Sequence, residues 1–185
     1  MVTNDEKWAD LFRSLRNQGR DVFDGWLNHS RLGYNYRISE MNAAVGVVQM
    51  RRLDTLLRKR EEVAAEYKKH LENIAGVSPL TIVPTTTRMS WFVYPVRFEE
   101  NIDRNVVLEK LAQRGIPARP YFTPIHLQPF YRERFGYKEG DFPISEAAGK
   151  SILALPFSAP MKAEEVQFVC ENLAEVLDEI KQGVK

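Results

Sequence analysis

Ser39-Glu40-Met41-Asn42-Ala43-Ala44-Val45-Gly46-Val47-Val48-Gln49 opens the stretch whose reading decides the fold. Ser39 is a favourable helix N-cap, and from it an apolar periodicity runs to about Asn73. Met41, Ala44, Val45 and Val48 form one stripe. Leu53, Leu56, Leu57, Val63, Ala64, Tyr67, Leu71 and Ile74 continue it at helical spacing with a slight change of face. A helical pattern longer than about 25 residues exceeds what one small domain needs, so it predicts a helix crossing between two domains. The boundary falls inside that helix, with residues 1–55 belonging to one domain and 56–185 to another.

Ahead of this helix, Asn4 or Asp5 caps a first helix to about Asn17, with Trp8, Leu11, Phe12 and Leu15 on one face and Gly19 as its stop. Between Arg20 and Arg37 the periodicity fails. Gly25, Gly33, four aromatics (Phe23, Trp26, Tyr34 and Tyr36) and His29 read as a long ordered loop; loops of that length are usually functional or disordered, and the aromatic content argues against disorder. Beyond Gly76 the pattern changes. Ser90 to Phe98 reads as a strand, in which Pro95 implies an edge position or a bulge. A helix over Asn105 to Arg114 ends at Gly115, and a short strand covers Ile116 to Tyr121. A Pro-rich aromatic segment spans Phe122 to Phe142, and a helix follows from about Ser145 to Ile152. Leu153 to Pro156 is extended, and an amphipathic helix runs from Ala163 to about Gln182. The fold class is α/β, with a small α+β domain at the C-terminal end.

The bulk properties narrow the possible functions. With 185 residues and 44% hydrophobic content the chain can bury a core. Its 26 basic and 25 acidic residues leave a formal charge of +1, which gives no whole-molecule field for nucleic acid or an acidic membrane. The single cysteine, Cys170, excludes an intramolecular disulfide and a cysteine-based zinc cluster, and a reducing cytoplasm is the expected compartment. Neither a secretory signal pattern nor an apolar run of membrane-spanning length is present in the sequence.

Two segments carry candidate chemistry. Gly33-Tyr34-Asn35-Tyr36-Arg37-Ile38-Ser39 runs into a helix N-terminus, where free N–H groups and the helix dipole favour phosphate; Asn35 and Arg37 would add hydrogen bonds. The same residues also read as a glycine turn, two packing tyrosines and a surface arginine, and the residues alone favour that plainer reading. In Arg119-Pro120-Tyr121-Phe122-Thr123-Pro124-Ile125-His126, two prolines hold aromatics and a histidine in a fixed loop. His126 could donate to a substrate phosphate or act as an acid or base. A lone histidine in an aromatic loop is more often a structural hydrogen-bonding residue. The carboxylate pairs Glu61-Glu62, Glu139 with Asp141, and Glu164-Glu165 read as solvated, His70 as exposed and Cys170 as a packing residue. No metal-ligand spacing or nucleotide-binding glycine motif is present.

Leu32-Gly33-Tyr34-Asn35-Tyr36-Arg37-Ile38-Ser39-Glu40-Met41-Asn42-Ala43-Ala44-Val45-Gly46, followed by Gln49, Leu53 and Arg60, resembles the DegT/DnrJ/StrS family of sugar aminotransferases. So do Tyr121-Phe122-Thr123-Pro124-Ile125-His126-Leu127-Gln128-Pro129, Gly140-Asp141-Phe142-Pro143-Ile144-Ser145-Glu146 and Leu153-Ala154-Leu155-Pro156, in that order. The resemblance implies the C-terminal portion of a fold-type I transferase dependent on pyridoxal 5'-phosphate (PLP). On that basis residues 1–55 are a remnant of the large PLP-binding domain, including a loop that reaches across a homodimer. It implies amino transfer from glutamate to a keto group of a nucleotide-linked sugar. Asn35 matches a residue at the cofactor phosphate and Arg37 an arginine near the phosphates of cofactor or substrate, both read as cofactor-binding, and His126 and Tyr121 match the substrate-side loop. Many members carry histidine at the position of Tyr121. None of the lysines here lies in the family's Schiff-base context, which implies no catalytic residue in this chain and no turnover without a complementary N-terminal half. The other reading is a non-catalytic dimerisation or regulatory module derived from such an enzyme.

Overall fold

The computed structural model describes residues 2–21 and 28–183, so Phe23, Gly25 and Trp26 of the expected loop lie outside the described residues. The chain divides into two compact units, Met1–Arg52 and Leu53–Lys185.

In the first unit, α1 (Glu6–Arg16) starts where the Asp5 carboxylate accepts from the backbone N–H groups of Lys7, at 2.8 Å, and Trp8, at 3.2 Å. The chain then turns through Gln18 and Gly19, both at positive φ. The helix α2 (Glu40–Arg51) begins at Ser39, whose hydroxyl accepts from the Asn42 N–H at 3.3 Å. The expected single long helix is instead two. α2 closes at Arg52, whose N–H bonds back to the Gln49 carbonyl at 3.1 Å in a tightened last turn, and α3 (Leu53–Leu71) begins directly after it.

The second unit follows from alternation along its strands. β1 (Val77–Pro79), β2 (Tyr94–Phe98), β3 (Arg119–Pro120) and β4 (Ile152–Leu155) form an antiparallel sheet in the order β1-β2-β4-β3. Along β2, Tyr94, Val96 and Phe98 are buried, as period-two patterning requires of a strand covered on one face. Three helices supply most of the rest of the core: α3, α4 (Arg104–Gln113) and α7 (Ala163–Lys181), through Tyr67, Leu71, Val107, Leu111, Leu173 and Leu177. Burial pushes the Cys170 thiol up to about 12, in keeping with a packing residue. The Tyr67 hydroxyl donates to the Pro156 carbonyl at 2.5 Å, and its ring stacks on Tyr94 at 4.7 Å.

Further expectations need correction. β2 is an interior strand, flanked by β1 and β4, although Pro95 suggested an edge. The β1 ladder reaches only Val96, opposite Pro79, so at Pro95 the strand is paired on the β4 side alone. The extended stretch is also shorter than Ser90 to Phe98, since Trp91 takes φ +47. Within the aromatic segment, α5 (Pro129–Phe135) forms with Pro129 at its first turn, where a missing N–H costs nothing. α6 (Pro143–Ser151) starts in the same way at Pro143. Finally, His70 is half-buried rather than exposed.

Candidate functional site

Each unit carries one of the two candidate segments. In the first, the loop is fastened by its backbone. The N–H groups of Tyr34 and Tyr36 donate to the carbonyls of Leu15 and Arg16, at 2.7 and 3.0 Å, and Gln18 donates to Tyr34 at 2.9 Å. Asn17 and Asn35 form an antiparallel bridge. The crossing is close enough to require glycine on both sides. A Cβ on Gly33 would lie 2.2 Å from the Gly19 nitrogen, and one on Gly19 would lie 1.8 Å from the Arg31 carbonyl oxygen.

Fixed in this way, the exposed residues Asn35 and Arg37 stand just ahead of the α2 N-terminus. The Arg37 Nε donates to the Asn35 Oδ1 at 3.2 Å. The Asn35 amide nitrogen and the terminal guanidinium nitrogens of Arg37 remain as donors. Such donors beside a helix N-terminus suit a phosphate dianion, and in this respect the residues present fit the cofactor's phosphate group. Tyr34 and Tyr36 stack on each other at 5.1 Å, both largely exposed.

In the second unit, Tyr121 stacks on Phe122 at 4.3 Å, and the peptide between them is cis. The segment after them lies along α6 because residue 149 is glycine. A Cβ there would meet the Phe122 carbonyl oxygen at 3.0 Å and the Pro124 Cδ at 2.9 Å. His126 sits in a single 3-10 turn, Ile125–Leu127, and is buried. Its ring lies 4.7 Å from Phe142 and meets Tyr137 edge-on at 6.3 Å. These side chains, with Tyr131 and Phe135, border a cavity of about 430 Å³. Tyr121 is not among the residues bordering it.

The sequence reading passed over Glu146, one of three buried polar or charged residues among those described. Its Oε1 stands 3.0 Å from the His126 Nε2. The Gly140 N–H donates to both of its oxygens, at 2.9 and 3.0 Å, and the Phe142 N–H donates to Oε1 at 3.2 Å. The Gly140 and Phe142 amides, with His126, hold the carboxyl below the usual carboxylate range despite its burial. The signal was a glutamate three residues after Pro143 at a helix start, which reads as an ordinary helix-terminal acid unless its partners are seen.

Of the carboxylate pairs read as solvated, Glu61 is instead bonded to Arg88 at 2.7 Å, and the same guanidinium lies 3.5 Å from Asp54. No group of three or more metal-ligating side chains is found among the described residues. No helix among them is long and apolar enough to cross a membrane.

A small antiparallel sheet backed by three helices, preceded by a fastened loop and a helix without a buried face, belongs to the DegT/DnrJ/EryC1/StrS aminotransferase family, which matches residues 1–174. The chain is 31% identical to the uncharacterized protein MJ1066 of Methanocaldococcus jannaschii over 97% of its own length and 50% of that protein's. It is 32% identical to the GDP-perosamine synthase of Caulobacter vibrioides, over 96% of this chain and 47% of the synthase. Among solved structures it resembles Helicobacter pylori PseC, an aminotransferase involved in the biosynthesis of pseudoaminic acid. That likeness has a TM-score of 0.84 and 26% identity, covering 96% of this chain and 48% of PseC. The chain therefore spans about half the length of the relatives it matches, and the mixed helix-and-sheet fold agrees with a C-terminal portion of such an enzyme.

Proposed function

We propose that this chain supplies the C-terminal portion of a PLP-dependent aminotransferase that moves an amino group, from glutamate, onto a keto group of a nucleotide-linked sugar. Family membership and the activity named for the GDP-perosamine synthase relative support the reaction class. The observation that carries the assignment in this chain is the Asn35–Arg37 pair. It sets a guanidinium and an amide N–H group on a loop pinned to α1, at the start of a helix. In a homodimer, these two residues bind the cofactor phosphate of the partner subunit. His126 and Tyr121 belong to the substrate side. PLP supplies the electron sink for amino transfer when bound, and this chain's part is to hold the phosphate and orient the sugar. The lysine that anchors the cofactor comes from a complementary N-terminal half, without which the chain does not turn over.

Complementation tests this. With the lysine-bearing half supplied, as a separate chain or in one polypeptide, the protein should retain PLP through desalting and aminate a nucleotide-linked keto sugar. Asn35→Ala should weaken retention by the loss of a hydrogen bond to a dianion, about 1.5–3 kcal/mol. Mixing an Asn35→Ala chain with a partner defective only in its lysine should restore one working site per heterodimer. Mixed dimers that form and stay inactive would place Asn35 within its own subunit's site. Failure to retain PLP in the unmutated assembly would sink the aminotransferase reading itself.

A further inference from the structure

Resting on that reading, we propose that Glu146 is a positioning residue. It fixes His126 as the tautomer protonated on Nε2, so that the neutral imidazole offers a sugar substrate only the Nδ1 lone pair, as acceptor for a hydroxyl. For a neutral ring the geometry permits one proton arrangement. The Glu146 Oε1 receives N–H groups from Gly140 and Phe142 and stands 3.0 Å from His126 Nε2. A proton on Oε1 would have to share that oxygen with two N–H donors already pointing at it. A proton on Oε2 would face the Gly140 N–H at 3.0 Å, donor against donor. Glu146 is therefore ionised, and a carboxylate oxygen beside a bare imidazole nitrogen would set lone pair against lone pair. The proton sits on Nε2 and is donated to Oε1.

The surroundings keep this arrangement in place. The pair is buried, so water competes poorly for either partner. Gly140 takes φ +92, a backbone region closed to most side chains, and from it directs one N–H at both carboxylate oxygens. Phe142 and Tyr137, which also touch each other, pack against the imidazole. The run from Gly140 to Glu146 is thus a clamp whose glycine, aromatic and acid each have a part in setting one ring. The consequence is chemical selectivity. With Nε2 committed, neutral His126 has no donor left for a phosphate and one acceptor for a hydroxyl, which contrasts with the donor role its sequence context suggested.

Long-range proton–nitrogen NMR correlation on the nitrogen-15-labelled chain reads the tautomer directly, at a pH where the imidazole is neutral. Expected is a predominantly Nε2-protonated His126. In Glu146→Ala it should become a mixture, and the Gly140 and Phe142 amides should exchange about tenfold faster or more, as loss of a charge-assisted bond implies. If that variant does not fold, Glu146→Gln reads the same property, since one amide oxygen replaces two anionic ones. An Nδ1-protonated His126 in the unmutated chain would overturn the proposal, as would a tautomer unchanged in both variants. In the assembled enzyme, Glu146→Gln should raise KM for the nucleotide-sugar about tenfold with little change in kcat and none in the glutamate half-reaction. Normal turnover with unchanged KM would refute the positioning role while leaving the aminotransferase reading intact. An assembly that never aminates a sugar would refute that reading and the substrate role together, and the tautomer would still decide whether Glu146 fixes the ring.

Discussion

In the second unit, α3 and α7 turn Tyr67, Leu71, Leu173 and Leu177 into a shared core, whereas α2 in the first unit buries no residue at all. α1 does little better, with Ser14 as its one buried residue. The apolar stripe predicted for α2 exists, but Met41, Val45 and Val48 are all more than half exposed. Burying such a side chain is worth about 1.5–3 kcal/mol, so one region carries its own hydrophobic stabilisation and the other forgoes it. The second unit holds its own core, and the first leaves an apolar stripe exposed, a surface of the kind that marks an interaction site.

The widest break in this comparison should appear in hydrogen exchange of the intact chain. Amides in the middle of α7 and along β2 and β4 should exchange only through global unfolding, while those of α2 open locally. For a domain of ordinary stability that separates the two sets by about a thousandfold or more. Comparable protection in α2 and α7 would mean that α2 is covered, by self-association or otherwise, and light scattering on the same sample would tell which.

A side-chain deletion sharpens the contrast at a single position. Leu173 is fully buried, so Leu173→Ala should lower the stability of the chain by about 2–5 kcal/mol in urea unfolding. Val45→Ala removes two methyl groups from a side chain that is 62% exposed and should stay within about 0.5 kcal/mol of the unmutated chain. A loss of 2 kcal/mol or more at Val45 would show that the stripe is buried in solution.

The same contrast explains what could be read from the sequence. α1, α4 and α7 have an uncovered or singly covered face, so their period, with a cap at the start of α1 and Gly115 after α4, gave them to within a residue or two. Elements set by their neighbours were harder. β1 is three residues long and is a strand only because β2 lies beside it, and Pro95 looked like an edge because nothing local reveals that the β1 ladder stops at Val96. α5 was hidden by Pro129, which breaks a helix interior but suits a first turn. Asn35 and Arg37 could be singled out because a polar loop running into a capped helix has a local meaning. Glu146 could not, since its significance lies in His126, twenty residues earlier, and in the backbone of a glycine at positive φ.

The smallest effect provides the cleanest control, because it makes the same chemical change in both units. Asp5 caps α1 by accepting from Lys7 and Trp8, and Asp103 caps α4 by accepting from the Asn105 N–H at 2.8 Å. Replacing either by alanine removes one exposed side-chain acceptor from a helix N-terminus, a loss of about 1 kcal/mol for the helix concerned. Where that loss is felt depends on whether the helix is part of a cooperative core. α4 places Val107 and Leu111 in the core, so Asp103→Ala should lower the global stability by about that amount and move the urea midpoint. α1 contributes no buried apolar side chain, so Asp5→Ala should leave the midpoint where it is and instead speed exchange of the first-turn amides by about fivefold. Equal shifts of the midpoint would show that α1 unfolds together with the second unit, and the division into a self-sufficient and a dependent part would have to be given up.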